Sequence, residues 1–307
     1  MEERIYPAAV IGLGASGIAA AVYLSRMGIS PIAFEPERIG GKLLEADDIR
    51  DYPGFLGSGK DLVSRMVNQI EENHIQVVKE KVVAMLREPD GTIRIAAGDT
   101  VYRFYTVVIA TGFKYDTPDI PGIDQIKDLI SHRPTTDEAL ARGKPCLVWA
   151  DGDRALDAAS HLSKISSSVV LLTSKDSEFS KVREEELSKV ENVRIVRGEL
   201  EKVEKTESGF KAWFNGEQEE FSSLFILLGH RYQTPCTEFI GIPEIRDDQG
   251  CIAVDRVSKT FIPGVFACGD AVQKSVRNLS VDASEGAMAG IMAYRYYQDL
   301  KSDGKIS

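Results

Sequence analysis

AAVIGLGASGIAAAVYLSRMGISPIAFE, residues Ala8 to Glu35, is the stretch whose reading decides the fold. A short apolar strand, Ala8–Ile11, runs into the turn Gly12-Leu13-Gly14-Ala15-Ser16-Gly17, and a helix of small residues follows to Arg26. A second strand, Pro31–Phe34, ends at Glu35. The glycines have separate roles. Gly12 permits the sharp turn, Gly14 lets the backbone approach a diphosphate, and Gly17 lets the helix pack closely on the strand. The helix start adds unpaired N–H groups and a partial positive charge. Glu35 is placed to accept from ribose hydroxyls. Strand, glycine turn, helix, second strand and acid, in that order, predict a βαβ unit that binds an adenine dinucleotide.

The same outline returns at VWADGDRALDAA, Val148 to Ala159, followed by the strand SSVVLLT. Gly12 to Glu35 spans 23 positions, and so does Ala150 to Thr173. The two segments are therefore an internal repeat of one unit. Gly12 corresponds to Ala150, Gly14 to Gly152, Gly17 to Ala155 and Glu35 to Thr173, while Asp151 and Asp153 enter the loop. A carboxylate about 5 Å from a phosphate costs roughly 1–3 kcal/mol. Two outweigh the ~0.3–1 kcal/mol of a helix dipole. The strand–turn–helix is expected to persist as packing after its phosphate chemistry eroded. The alternative is that both Asp side chains point to solvent, Arg154 and Lys175 offset part of the repulsion, and a nucleotide still binds.

The bulk numbers bound the remaining choices. The chain has 307 residues, enough for two domains with their own cores. A formal charge of -10 argues against a nucleic-acid partner. Cysteines at 146, 236, 251 and 268 form neither a disulfide framework nor a CxxC, and no zinc spacing occurs, so no metal is expected. The apolar run 8–24 is too short to span a bilayer and no cleavage-site pattern follows it. These features suggest a soluble protein in a reducing, cytoplasmic setting.

Farther on, Lys60–Asn73 has helical spacing, and IQVVKEKVVAMLRE, GTIRIAAG and VYRFYTVVIATG read as strands. GVFACGD reads as a buried strand returning to the first unit, and a helix is expected from Asp282 to about Tyr297. The fold expected is α/β, with two Rossmann-like, three-layer dinucleotide-binding domains. Residues 1–116 and 245–307 would form one discontinuous domain, with 117–244 inserted as the second.

VIGLGASG, GGK, YPGF, ATG, FACGD and RNLSVDASEGAMAG occur in this order along nearly the whole chain. In this series the chain resembles the low-molecular-weight thioredoxin reductases, with Arg277-Asn278-Leu279 in place of that family's Arg-Gln-Val. The resemblance implies FAD in the discontinuous domain, NADPH in the insert, and a homodimer. By it, Gly12, Gly14, Ala15, Ser16 and Gly17 would hold the pyrophosphate and Glu35 the adenosine ribose. Gly41, Lys42 and Asp51 would lie beside the cofactor and Val83 near the adenine. Ala110, Thr111, Gly112 and Gly269 belong to the matched motifs. Asp270 would meet the ribityl or phosphate groups, and Arg277, Asn278 and Leu279 the pyrimidine edge of the flavin.

The departures concern the two electron relays. Counting back from Ala150, the family's redox cysteines fall on Arg133 and Thr136, with Asp137 retained. Arginine and threonine cannot form a thiolate. The resemblance places a basic cluster for the 2′-phosphate where Thr173-Ser174-Lys175 now stands. Of the remaining candidates, Cys268 and Cys146 read as buried strand residues and His230 as structural. Asp137 reads either as a helix N-cap or as a surviving acid. No catalytic residue is assigned. Three functions compete: an FAD oxidoreductase taking electrons from a protein such as ferredoxin or flavodoxin, an NAD(P)H-dependent reductase resembling ferredoxin–NADP reductase, and a non-catalytic FAD scaffold or redox sensor.

Overall fold

A computed structural model describes residues 4–46, 48–115, 117–135, 137–232, 251–272, 274 and 276–306. The chain divides into two compact units, Met1–Lys114 with Arg231–Ser307, and Tyr115–His230. The return expected at 245 lies outside the described residues; the compact first unit already resumes at Arg231.

In the first unit β1 (Ile5–Ile11), β2 (Ile32–Phe34) and β3 (Gln76–Val78) run parallel, in the order β3-β2-β1. β1 also pairs in parallel with a long strand, Thr100–Ile109. That strand closes an antiparallel meander of β4 (Val82–Arg87), β5 (Ile93–Ala97) and β6 (Thr100–Ile109). The single strand expected over residues 75–88 is thus two, because the chain leaves β3 at Lys79–Lys81 to begin the meander. On its edge away from β1, β6 pairs first with β5 and then with Val265–Ala267, the strand expected in GVFACGD.

The helices α1 (Ala15–Arg26) and α2 (Gly59–Glu72) pack on one face of this sheet. α2 starts at a capping box, in which Ser58 Oγ accepts from Asp61 N and the Asp61 carboxylate accepts from Ser58 N. Ile95, Phe104 and Phe34 fill the opposite face.

The second unit carries a five-stranded parallel sheet in the order 193–197, 168–173, 145–150, 223–227, 130–131. α3 (Asp153–Ser163) and α4 (Lys181–Leu187) belong to it, as does a three-stranded antiparallel sheet over 200–221. Both units are thus Rossmann-like. The last helix, α5 (Leu279–Ser302), starts three residues earlier than its apolar spacing suggests. Asn278 caps it, its side-chain oxygen accepting from Val281 N at 2.9 Å.

Candidate functional site

The glycine turn of the first unit is built by close approaches. Gly12 has φ +92°, and a β-carbon there would lie 2.5 Å from the Ala110 carbonyl oxygen. A β-carbon at Gly17 would lie 1.9 Å from the Gly12 carbonyl oxygen. Gly14 differs, because nothing lies within 4 Å of its missing side chain. It is the N-cap of α1, which has no side-chain cap and no acid in its first turn. The helix start at Ala15, Ser16 and Gly17 therefore presents its dipole to open space. A β-carbon at Gly41 would come within 3.7 Å of the Gly14 Cα. Glu35 closes the turn, its Oε2 accepting from Leu13 N at 2.9 Å. Nearby in sequence to Ala110, the Thr111 hydroxyl is buried without a hydrogen-bond partner.

Behind the turn, the segment Cys268–Ala271 and α5 press against the start of α1. A β-carbon at Gly269 would meet Ser16 Oγ at 2.1 Å, and one at Gly286 would meet Ser16 O at 2.0 Å. Asp270 emerges here between cations. It pairs with Lys42 Nζ, and its Oδ1 lies 3.1 Å from an Arg277 nitrogen and 4.0 Å from Lys274 Nζ. Burial opposes ionisation of Asp270, but these three cations outweigh it and hold its pKa below the ordinary value. Phe113, just after Gly112, lies beneath two of them. Its ring centroid is 3.1 Å from Lys42 Nζ and 5.3 Å from Arg277 Cζ.

Lys274 joins this group to α5 by pairing with Asp282 and, at 3.0 Å, with Glu285, which also accepts from Gly269 N. Burial and the neighbouring Asp270 push the Asp282 carboxyl up to about 6, although Lys274 opposes them. Burial disfavours a charged Lys274, but Asp282 and Glu285 overcome it and raise its pKa. The buried thiols Cys146 and Cys268 are pushed up to about 11 and about 12, chiefly by burial, so neither supplies a thiolate near neutral pH.

The structure thus brings Gly12, Gly14, Ala15, Ser16, Gly17, Glu35, Gly41, Lys42, Ala110, Gly269, Asp270 and Arg277 into one set of contacts. Asn278 and Leu279 follow as the cap and first residue of α5. No described contact joins Asp51 or Val83 to the set. Asp51 lines a surface cavity with Tyr52 and Phe55, and Val83 is exposed on β4. Sequence reasoning missed Phe113, Lys274, Asp282 and Glu285. A usable signal lay in two acids within the first two turns of a helix otherwise rich in small residues.

In the repeat, the chain fills its own turn. Asp151 Oδ1 accepts from Thr173 Oγ1 at 2.8 Å and from Ser174 N at 2.9 Å. Gly152 N donates to Ser177 Oγ at 3.0 Å, and Asp153 Oδ1 accepts from Ser180 N at 2.8 Å. The two copies make the same bridge with the carboxylate on opposite ends. In one, Glu35 at a strand end reaches the loop at Leu13; in the other, Asp151 in the loop reaches the strand end at Thr173. Both loop carboxylates are exposed, as that alternative has it, but each also accepts hydrogen bonds from the chain. Burial works against ionising Asp151, but the Ser174 and Thr173 bonds prevail and lower its pKa.

Its contribution to stability is therefore present above the ordinary carboxylate pKa and lost as pH falls through the lowered value. Asp151→Ala is expected to cost about 1 kcal/mol near pH 7, the side chain being exposed. The deficit should vanish in acid, and thermal unfolding of both proteins from neutral pH to about pH 3 measures it.

The segment around Arg133 and Asp137, where the resemblance would place the redox pair, is held by polar contacts. Asp137 accepts from Ser131 Oγ at 2.7 Å and from an Arg133 nitrogen at 3.3 Å. It occupies the N-cap of a 3-10 turn, Glu138–Leu140, but makes no side-chain cap bond, which corrects the capping expectation. Thr136 lies outside the described residues. His132 stacks on Tyr115, with centroids 4.4 Å apart, and donates through Nδ1 to Ile226 O at 2.8 Å. Burial lowers its pKa. Among the described residues, no cluster of His, Cys, Asp and Glu could hold a metal ion, and no helix is long and apolar enough to cross a membrane.

The chain is 28% identical to the 34.2 kDa protein in the rubredoxin operon of Clostridium pasteurianum, over 96% of this chain and 98% of that one. It is 27% identical to the thioredoxin reductase of Peptoclostridium acidaminophilum, with the same coverage. The crystal structure of thioredoxin reductase from Streptococcus pyogenes matches with a TM-score of 0.85 at 26% identity, covering 96% of this chain and 99% of that one. Residues 6–287 match the pyridine nucleotide-disulphide oxidoreductases. With its two Rossmann-like units and thioredoxin reductase-like fold, the chain belongs to the pyridine nucleotide-disulphide oxidoreductase family of flavoproteins.

Proposed function

We propose that the chain is an atypical, cytoplasmic, homodimeric FAD oxidoreductase that takes electrons from a protein donor such as ferredoxin or flavodoxin rather than from NADPH. The first unit would be the FAD domain and the second an inserted unit with a degraded nucleotide motif. Three features fit FAD in the first unit: the uncapped start of α1, the open space at Gly14, and the unpartnered Thr111 hydroxyl. Gly12, Gly14, Ala15, Ser16 and Gly17 would hold its diphosphate and Glu35 a ribose. Asp270 would meet the ribityl or phosphate groups, with Lys42 beside the cofactor and Arg277, Asn278 and Leu279 along the pyrimidine edge of the ring. Bound FAD supplies one- and two-electron chemistry. The protein's own part is to bind and orient it, and to hold charge through the Lys42–Asp270–Arg277 group.

The observation that carries the reading is the self-filled repeat. Ser177 takes the Gly152 N–H, and Asp151 spans the loop where a dinucleotide phosphate would arrive. With no CxxC in the sequence, a thioredoxin-reducing dithiol is missing as well. The relative named for a rubredoxin operon supports a redox-protein partner. In anaerobic titrations, reduced ferredoxin is expected to bleach the flavin spectrum, while NADPH and NADH leave it unchanged. Rapid bleaching by either nucleotide would overturn the reading in favour of an NAD(P)H-dependent reductase, and inertness to every donor would favour a scaffold.

A further inference from the structure

The amino-terminal glycine turn has no cation of its own; the positive charge near it comes from farther along the chain. The backbone at Gly40 and Gly41, with φ +103° and +50°, turns the chain into the 3-10 segment Gly41–Glu45. That turn carries Lys42 to Asp270. A β-carbon at Gly40 would meet Val63 Cγ2 at 2.5 Å, so the turn is held from behind by α2. Lys42 Nζ then rests on the Phe113 ring, 3.1 Å from its centroid, and Arg277 Cζ approaches the same ring at 5.3 Å. Two cations thus converge on one aromatic ring and one carboxylate. Burial lowers the Lys42 pKa in spite of Asp270, which marks an ammonium poor in water. A cation in such surroundings interacts with a new neighbouring negative charge more strongly than a hydrated one does.

We propose that Lys42, held between Phe113 and Asp270, is a positioning residue that stabilises the negative charge gained by the flavin ring on reduction and so sets the reduction potential of the protein. This rests on the reading of the first unit as an FAD site. Two-electron, one-proton reduction of a bound flavin, by two successive one-electron donors or by dithionite and with the proton from solvent, would leave one added negative charge on its ring. Lys42 neither gives nor takes the proton. Its ammonium would stay charged, held by Asp270 and Phe113 on the side where the anionic ring would lie.

The test uses the purified, FAD-loaded full-length protein and its Lys42→Met, Lys42→Gln and Lys42→Arg variants. FAD content is measured first. Wild-type protein that neither holds nor takes up FAD would sink the FAD reading itself, separately from this inference. With FAD bound, midpoint potentials are read against a reference dye during anaerobic dithionite reduction. Lys42→Met and Lys42→Gln are expected to disfavour the reduced form at least tenfold, a shift of about 30 mV to more negative potential for a two-electron couple. Lys42→Arg should restore most of it.

Sulfite provides a second readout. It adds through its lone pair to N5 of the oxidised ring and leaves the same negative charge there. Its dissociation constant is expected to rise at least tenfold in the Met and Gln variants. Potentials and sulfite affinities within threefold of wild type, in variants with full FAD occupancy, would overturn the proposal. So would a Lys42→Arg variant that behaves like Lys42→Met.

Discussion

Gly17→Ala is expected to destabilise the fold by about 3 kcal/mol or more and to yield protein without bound flavin. The added methyl group would sit 1.9 Å from the Gly12 carbonyl oxygen and 3.3 Å from the Ala110 β-carbon. The first of these is backbone, so no rotamer change relieves the overlap. β1, the turn and α1 must separate, and the separation disturbs the packing of Ser16 against Gly269 and Gly286. Gly14→Ala is the matched control. Its φ of −72° suits any residue and open space surrounds the new methyl group, so the fold should lose no more than about 0.5 kcal/mol. That methyl group nevertheless enters the space proposed for the diphosphate, and flavin retention should fall. Urea unfolding and visible absorbance of the two variants separate the effects. Equal stability losses in both would show that the turn is not constrained as described.

Lys274→Met is the second large effect, and it depends on pH. The Lys274 side chain is 7% exposed and contacts Asp270, Asp282 and Glu285. Removing it leaves the largely buried Asp282 and Glu285 without their cation, while Asp270 keeps Lys42 and Arg277, a loss of about 3 kcal/mol. The sign of the pH effect follows from Asp282. Its pKa of about 6 lies above the ordinary 3.8, so between these values the folded state holds a proton that the unfolded chain has released. Wild-type stability from this group accordingly declines as pH rises across that window, and Lys274 limits the decline. In the variant the Asp282 pKa moves higher still. The deficit should be full above the raised Asp282 pKa of the variant and shrink as pH falls from there to about 6, below which Asp282 is protonated in both folded proteins. Unfolding of both proteins at a series of pH values measures this. A deficit constant with pH would show that Lys274 acts through packing alone.

Much of the fold could be read in advance because its signals are local. The glycine turn, its 23-residue repeat and the β-branched runs each depend on neighbours close in sequence. The start of α5 was misplaced because a cap, Asn278, determined it rather than apolar spacing. The split between β3 and β4 was missed for a related reason, since a continuous β-branched run says nothing about where its partners change. The candidate site was legible in its backbone parts and obscure in its charges. Lys42 and Asp270 are 228 positions apart, and nothing in either segment announces that they meet. The two loop aspartates were visible, but not that Thr173, Ser174 and Ser180 would satisfy them.

The pairing of Val265–Ala267 with β6, and the seating of α5 on α1 at Ser16, have a temporal consequence. Residues 115–230 are contiguous and can fold as soon as they leave the ribosome. The glycine turn is translated more than two hundred residues before the strand and helix that buttress it. Until Val265–Ala267 is made, the Val107–Ile109 part of one β6 edge stays bare on the nascent chain, open to wrong strand partners. Deleting α5 should therefore cripple a turn more than two hundred residues upstream.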